Sequence, residues 1–449
     1  MLIDAGIGLG EALRPLDCTV NGGTGIDEIT LTVGNGIDDS SIQAGGSNDV
    51  VTINAGITST VVAGGKGNDE TVVTGAVQSS TLYGGDGNDS ITLTVGANEL
   101  DQSVIQDGAG NNVFKVTSTN TVEGLTVNGG SGNDSLGVTA NTEDLLFKGS
   151  ADNDSVKITG TLASSTLYGG SGTDEFEVTG AVTSSVFQSG SGTNTYTFGG
   201  AVKATVNGGS GADNVAAGAN SLKGAYTLGD GKDVLTAGAI DATIKMGAGD
   251  DAVTGTTLTG NTYLGTGADT FELTDKATTA LVQTSGSDNN VFKLDDADTI
   301  TLISGDGNDS LIAAAGITYA DATFGDGKDT VNLDGALDNS LIKLGAGKDD
   351  FDLAVASTTS TIYGGEGDDA IDFAEKVTKF VVADTQGEAT ITFVKGLDET
   401  TVTTGDSADT VDNSGTNATK LSSFELGGGN DTLTTGAVAF SVICDFNAV

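Results

Sequence analysis

A six-residue phrase, Gly-Gly-x-Gly-x-Asp, returns along this chain at a nearly fixed interval, and that return limits the available folds more than any other feature. It stands complete at Gly64, Gly65, Gly67 and Asp69, at Gly84, Gly85, Gly87 and Asp89, and at Gly129, Gly130, Gly132 and Asp134. It stands complete again at Gly208, Gly209, Gly211 and Asp213, at Gly364, Gly365, Gly367 and Asp369, and in the copies ending at Asp27 and Asp174. Looser copies that lack the first Gly end at Asp233, Asp251, Asp269, Asp309, Asp329, Asp349 and Asp431, and weaker ones end at Asp49, Asp154 and Asp409. Asn112, Asn194, Asn290 and Ala389 hold the same phase without a carboxylate. With the sixth residue of each copy taken as an anchor, about 21 copies fall between residues 27 and 431, a period of roughly 20 residues that lies in the solenoid range.

The apolar residues keep the same phase. The second residue after the anchor is apolar at nearly every copy, as in Ile29, Val51, Ile91, Phe114, Leu136 and Val156, with Thr71 the exception. The fourth is usually apolar as well, which is the two-residue alternation of a half-buried strand. A second apolar position falls seven residues before the anchor, at Leu82, Val127, Leu167, Val206, Leu302, Ile342 and Ile362. Between the two strands lies a second turn, marked by Gly75-Ala76, Gly160-Thr161, Gly180-Ala181 and Gly335-Ala336. One coil of this kind cannot bury its own apolar face, whereas stacked coils build a thin continuous core. The expectation is an all-β, right-handed parallel β-solenoid of about 21 coils, two short strands per coil, rising about 4.8 Å per coil to a rod on the order of 100 Å. Residues 22–433 carry the repeats of a single solenoid domain, with residues 1–21 and 434–449 as caps over the open strand edges.

Composition agrees. The chain of 449 residues has 70 Gly, one Pro, no Trp and no His, which argues against a thick globular core. Its formal charge is −44, so nucleic acid and anionic membrane surfaces would repel it and cations are its natural partners. The 37% apolar content, evenly spaced, argues against disorder. No apolar run approaches the roughly 18 residues of a membrane span, so no membrane insertion is expected. The first 16 residues contain Glu11 and Arg14 and do not read as an N-terminal signal peptide.

Glycines in the turn permit positive φ and let carbonyl oxygens converge without Cβ interference, and the Asp adds a hard anionic oxygen. Carbonyls with carboxylates suit Ca²⁺, while Zn²⁺ would call for His or Cys that this chain scarcely has. Residues 84–92 and 129–137 match in full the nonapeptide Gly-Gly-x-Gly-x-Asp-x-apolar-x. The chain thereby resembles the RTX (repeats-in-toxin) family over nearly its whole length. The resemblance implies Ca²⁺ shared between stacked loops through carbonyls and the Asp of each. Carried over, it pairs Asp69 with Asp89, Asp213 with Asp233, Asp233 with Asp251, and Asp251 with Asp269, and makes a series of Asp309, Asp329, Asp349 and Asp369.

The usual RTX roll has a nonapeptide on both sides of each coil; here one motif per coil puts the metal on one edge only. The other edge has no acidic ligand and is expected to be held by packing and hydrogen bonds. With the column broken at the four uncharged anchors, pairs within each run give about 12 shared Ca²⁺ sites, which would bring the charge to about −20. The family resemblance also implies secretion of type I, guided by a C-terminal signal such as residues 442–449.

Cys18 and Cys444 lie outside opposite ends of the repeat, too far apart on one rod for the roughly 7 Å a disulfide allows, which leaves free thiols or a bridge between molecules. No His is present for a Ser-His or Cys-His nucleophile, and nearly every Asp belongs to the turn phase, so no enzyme is expected. The irregular series Thr30, Thr52, Val72, Thr92, Lys115 is no ice-binding ladder, and Tyr83, Tyr168 and Tyr363 read as packing groups. The resulting expectation is a calcium-stabilised extracellular structural protein that self-associates into a surface layer, sheath or filament. The alternative is a calcium-dependent adhesin or virion fibre.

Overall fold

The computed structural model describes residues 3–4, 18–96, 100–415, 419–436, 438–440 and 443–446. Much of both expected caps lies outside them, including residues 442 and 447–449 of the ending read as a secretion signal. Contacts divide the chain into two compact units, residues 1–229 and 230–449. Each is a stack of parallel β-coils, and counted over both there are about 20 turns with two sheets per turn. No described residue is helical, so no helix is long and apolar enough to cross a membrane.

A coil of the first unit illustrates the build. Strand Val61–Lys66 leads into the Gly-rich turn, Glu70–Thr74 leads out of it, and a two-residue strand, Val77–Gln78, lies in the opposite corner. Each pairs in parallel with its counterpart one coil on: Val62 with Leu82, Val73 with Leu93, Val77 with Leu100. The second unit repeats the scheme with Leu341–Gly347, Asp350–Leu353 and Ser357–Thr358. Coil lengths run from 18 residues between Asp233 and Asp251 to 23 between Asp89 and Asn112, and the strand register shifts locally at Thr183/Ser185 and at Tyr263/Gly265.

Strand alternation sorts the side chains as the sequence pattern requires. Residues two and four past the anchor and seven before it are buried through most of the coils, including the odd Thr71; Val20, Leu31, Gln283 and Leu433 are half-buried and Thr435 is exposed. The core is one to two side chains thick, with aromatic groups stacked from coil to coil: Phe176 on Tyr196 at 5.4 Å and Phe373 on Phe393 at 4.8 Å. Tyr83, Tyr168 and Tyr363 lie outside the core. They fall in the odd phase, six residues before the anchor, and stand on the outer face at 38, 36 and 39% exposure.

The corner opposite the Gly-rich turn is closed by a second ladder. Thr60, Ser80 and Ser103 point inward there, and each hydroxyl accepts the backbone N–H of the equivalent residue in the preceding coil. The Ser80 hydroxyl in turn donates to the Gln78 carbonyl at 2.8 Å. Just before each of these stands a residue in the left-handed region, such as Ser59 at φ +50° and Ser79 at +48°. The second unit uses Ser340, Ser360 and Thr400 in the same way. This edge is hydrogen-bonded, as the sequence pointed to, but it is not free of carboxylates: Asp38, Asp101, Glu143, Asp338 and Asp398 stand in its short strands, half-exposed or exposed, outside the inward Ser and Thr ladder.

Candidate metal-binding column

The Gly-rich turns superpose coil on coil, and each glycine in them has its own reason. In the complete turns ending at Asp69, Asp89, Asp134, Asp213 and Asp369 the backbone turns left-handed at the second position, with φ from +107° at Gly130 to +122° at Gly85, and again at the fourth, from +108° at Gly132 to +138° at Gly87. Gly65, Gly67, Gly209, Gly211, Gly365 and Gly367 share these conformations, and a Cβ on Gly65 would run into the Gly45 carbonyl of the coil below. The first glycine has ordinary φ and a different constraint. A Cβ on Gly64, Gly129, Gly208 or Gly364 would meet the carboxylate of its own anchor, respectively Asp69, Asp134, Asp213 and Asp369. In the looser turns ending at Asp233, Asp251, Asp269, Asp329 and Asp349 that position is filled by the buried Leu228, Met246, Leu264, Phe324 and Leu344, and in the Asp309 turn by Ser304.

The anchors therefore point inward. Asp27, Asp49, Asp69, Asp89, Asp134, Asp154, Asp174, Asp213, Asp233, Asp251, Asp269, Asp309, Asp329, Asp349, Asp369 and Asp409 are all buried, and only Asp431 is partly open. In the first unit the Oδ1 of each accepts the backbone N–H of the anchor before it: Asp49 to Asp69 at 2.8 Å, Asp69 to Asp89 at 2.7 Å, Asp134 to Asp154 at 2.9 Å. In the second unit Asp233, Asp309, Asp329 and Asp349 donate likewise to Asp251, Asp329, Asp349 and Asp369. The residue before the anchor forms a second, exposed ladder running the other way. Asn68 donates from its N–H back to Asn48 Oδ1, and Asn88 back to Asn68 Oδ1.

Three uncharged anchors do not interrupt the hydrogen-bonded column. Asn112, Asn194 and Asn290 each accept through Oδ1 from the preceding Asp, at 2.9 to 3.0 Å. Their other side-chain atom reveals what surrounds it. Nδ2 of Asn112 donates to the carbonyls of Gly110 and Gly129, that of Asn194 to the Gly192 carbonyl, and that of Asn290 to the Asp288 carbonyl. At the Asp coils the corresponding atom is Oδ2, an acceptor set among acceptors. Accordingly Oδ2 of Asp49, Asp69, Asp89, Asp134, Asp154, Asp174, Asp251, Asp269, Asp329, Asp349, Asp369 and Asp409 is buried without a hydrogen-bond partner. Asp309 differs, because the Ser304 hydroxyl donates to its Oδ2.

Burial pushes these carboxyls upward, to about 6 at Asp69, Asp134, Asp269 and Asp349 and about 7 at Asp154, Asp251 and Asp329. Desolvation is the main cause, and the donated backbone N–H opposes it; at Asp154, Asp251 and Asp329 the carboxylates above and below add to the rise. A buried acceptor facing acceptors needs either a proton or a cation between them. An all-oxygen surround suits a hard ion of the Ca²⁺ type. Among the described residues no three His, Cys, Asp or Glu side chains gather around one point. An ion in the column would thus take its protein ligands from at most two carboxylates and from backbone carbonyls.

Two carboxylates outside the motif phase were missed by sequence reasoning. Asp107 and Asp384 stand five residues before Asn112 and Ala389, where the first glycine belongs, and both are buried with orphaned oxygens. Aligning the coils on their anchors would have exposed them. Cys18 is a free, partly exposed thiol, while the side chain of Cys444 lies outside the described residues. No family model, curated protein or solved structure matches this chain.

Proposed function

We propose that this chain is a calcium-stabilised structural protein working outside the cell, a building block of a surface layer, sheath or filament. The observation that carries the reading is the run of buried Asp Oδ2 atoms, among them those of Asp49, Asp69, Asp154, Asp251, Asp329 and Asp349, that lack a donor where Asn112 places an N–H₂ among carbonyls. A divalent cation seated there would turn each repulsive contact into an attractive one. The column recurs through nearly every coil, so metal binding belongs to the fold as a whole and not to one pocket. Micromolar or lower cytosolic Ca²⁺ would leave the column charged and open, and millimolar extracellular Ca²⁺ would close it.

The test is a melt of the whole protein with Ca²⁺ and with excess EDTA, followed by circular dichroism. The β signal is expected to melt at a markedly lower temperature, or to be absent, in EDTA. An identical melting curve in the two conditions would end the calcium reading. The adhesin alternative finds support in the half-exposed Tyr83, Tyr168 and Tyr363 on the outer face. Electron microscopy separates the two: ordered assemblies on Ca²⁺ addition favour the building block, and a persistently monomeric protein favours the adhesin.

A further inference from the structure

At the position of the first glycine, most coils carry Gly, a small residue or a large apolar one. A carboxylate occurs there twice, at Asp107 and Asp384, and each time the anchor of that coil, Asn112 or Ala389, is uncharged. Both carboxylates reach back onto the preceding coil and settle against its first glycine. Asp107 lies where a Cβ of Gly84 would be, within hydrogen-bonding reach of the Asp89 carboxyl. Asp384 flanks Gly364 together with Asp369: a Cβ there would lie 2.9 Å from Asp369 Oδ2 and 3.1 Å from Asp384 Oδ1. The same two-carboxylate arrangement is therefore built once in each unit.

Neither pair is neutralised by the protein. Asp107 Oδ1 accepts from the N–H groups of Gly85 and Gly108, at 2.8 and 2.9 Å, but its Oδ2 has no partner, nor has Asp89 Oδ2. Asp384, 1% exposed, has only the backbone N–H groups of Thr385 and Gln386 beside it and no well-formed hydrogen bond on either oxygen, and Asp369 Oδ2 has none. The uncharged anchors elsewhere differ: Asn194 and Asn290 donate directly to the next Asp, and no second carboxylate stands behind them. Two buried carboxylates facing each other with no donor between them form an unfavourable pair that a divalent cation would reverse.

We propose that Asp89 with Asp107, and Asp369 with Asp384, hold two divalent, oxygen-seeking cations of the Ca²⁺ class, in sites where the carboxylate comes from the first-glycine position in place of the anchor. The proposal rests on the calcium reading of the column and adds ligands that the repeat motif does not contain. It also makes Asn112 and Ala389 places where the charge has moved by five residues and not been lost.

The experiment counts calcium bound by the full chain, using native mass spectrometry or elemental analysis after gel filtration in Ca²⁺. Asp107→Asn and Asp384→Asn keep shape and remove charge, and each is expected to bind one ion fewer than the parent. The paired changes Asp107→Gly with Asn112→Asp, and Asp384→Gly with Ala389→Asp, move the carboxylate back to the anchor and are expected to restore the count. They also serve should a single variant fail to fold. A parent that binds no Ca²⁺ would overturn the column reading itself. A parent that binds many ions, with Asp107→Asn and Asp384→Asn binding as many, would overturn only the two sites and assign a shared proton to each pair.

Discussion

Asn290 donates twice to one atom, sending its backbone N–H at 2.7 Å and its side-chain Nδ2 at 3.0 Å to Oδ1 of Asp309. The amide thus does for its neighbour what a proton or cation must do in the Asp coils. Asn290→Asp would replace a donor by an acceptor beside a buried carboxylate. In EDTA this variant is expected to lose about 1–3 kcal/mol by thermal or urea unfolding, and Ca²⁺ is expected to recover much of the loss.

The metal-free protein is expected to gain stability as pH falls, the reverse of ordinary acid denaturation. The carboxyls of Asp154, Asp251 and Asp329 sit at about 7 in the fold against 3.8 as the ordinary value. A group raised on folding contributes stability that is complete below its unfolded value and lost as pH rises through its folded value. Melting temperature in EDTA should therefore climb from pH 8 to pH 5. A flat or falling profile over that window would show that these carboxylates are not desolvated.

The Ser and Thr ladder of the opposite corner, whose buried side chains are uncharged, offers a metal-independent comparison. Ser80 accepts from Thr60 N–H at 3.1 Å and donates to Gln78 at 2.8 Å, so Ser80→Ala leaves a buried N–H and a carbonyl short of a partner. The expected loss is about 1–3 kcal/mol, equal with Ca²⁺ and with EDTA. Urea unfolding in the two conditions checks the equality.

Gly65→Ala is expected to be among the most costly single-methyl additions in the chain. At φ +119° with a carbonyl of the coil below in the way, the new Cβ meets both backbone strain and a steric clash. A loss of more than about 2 kcal/mol, or failure to fold, is expected, and expression with circular dichroism reads it.

Period, strand phase and inward face were legible because anchor, glycine and apolar residue repeat together. Phe114 and Ile91 could be placed as core from spacing alone. What the motif could not convey is what each glycine avoids: Gly65 a backbone, Gly64 a carboxylate. Asn112 read as a gap in the column because its charge is gone, yet hydrogen bonding needs its oxygen and not its charge. Asp107 carries no signal of its own in the motif, because it stands at the first residue of the turn, where the repeat specifies Gly, and not at the sixth, where it specifies Asp. The Ser80 ladder did carry a signal, spaced at 20 and 23 residues from Thr60 and Ser103 like the anchors, but Ser and Thr are too common in turns to stand out.

The paired ladders at Asn68 and Asp69 run in opposite directions, one residue taking its bond from the coil before and the next from the coil after. Each coil is therefore a two-sided connector whose faces are complementary to any other coil of the same kind. Within a unit, excising or duplicating one period between equivalent residues would rejoin every donor to an acceptor of the same type. Length in such a stack is a free variable for evolution and for engineering, set by gene duplication without renegotiation of the core.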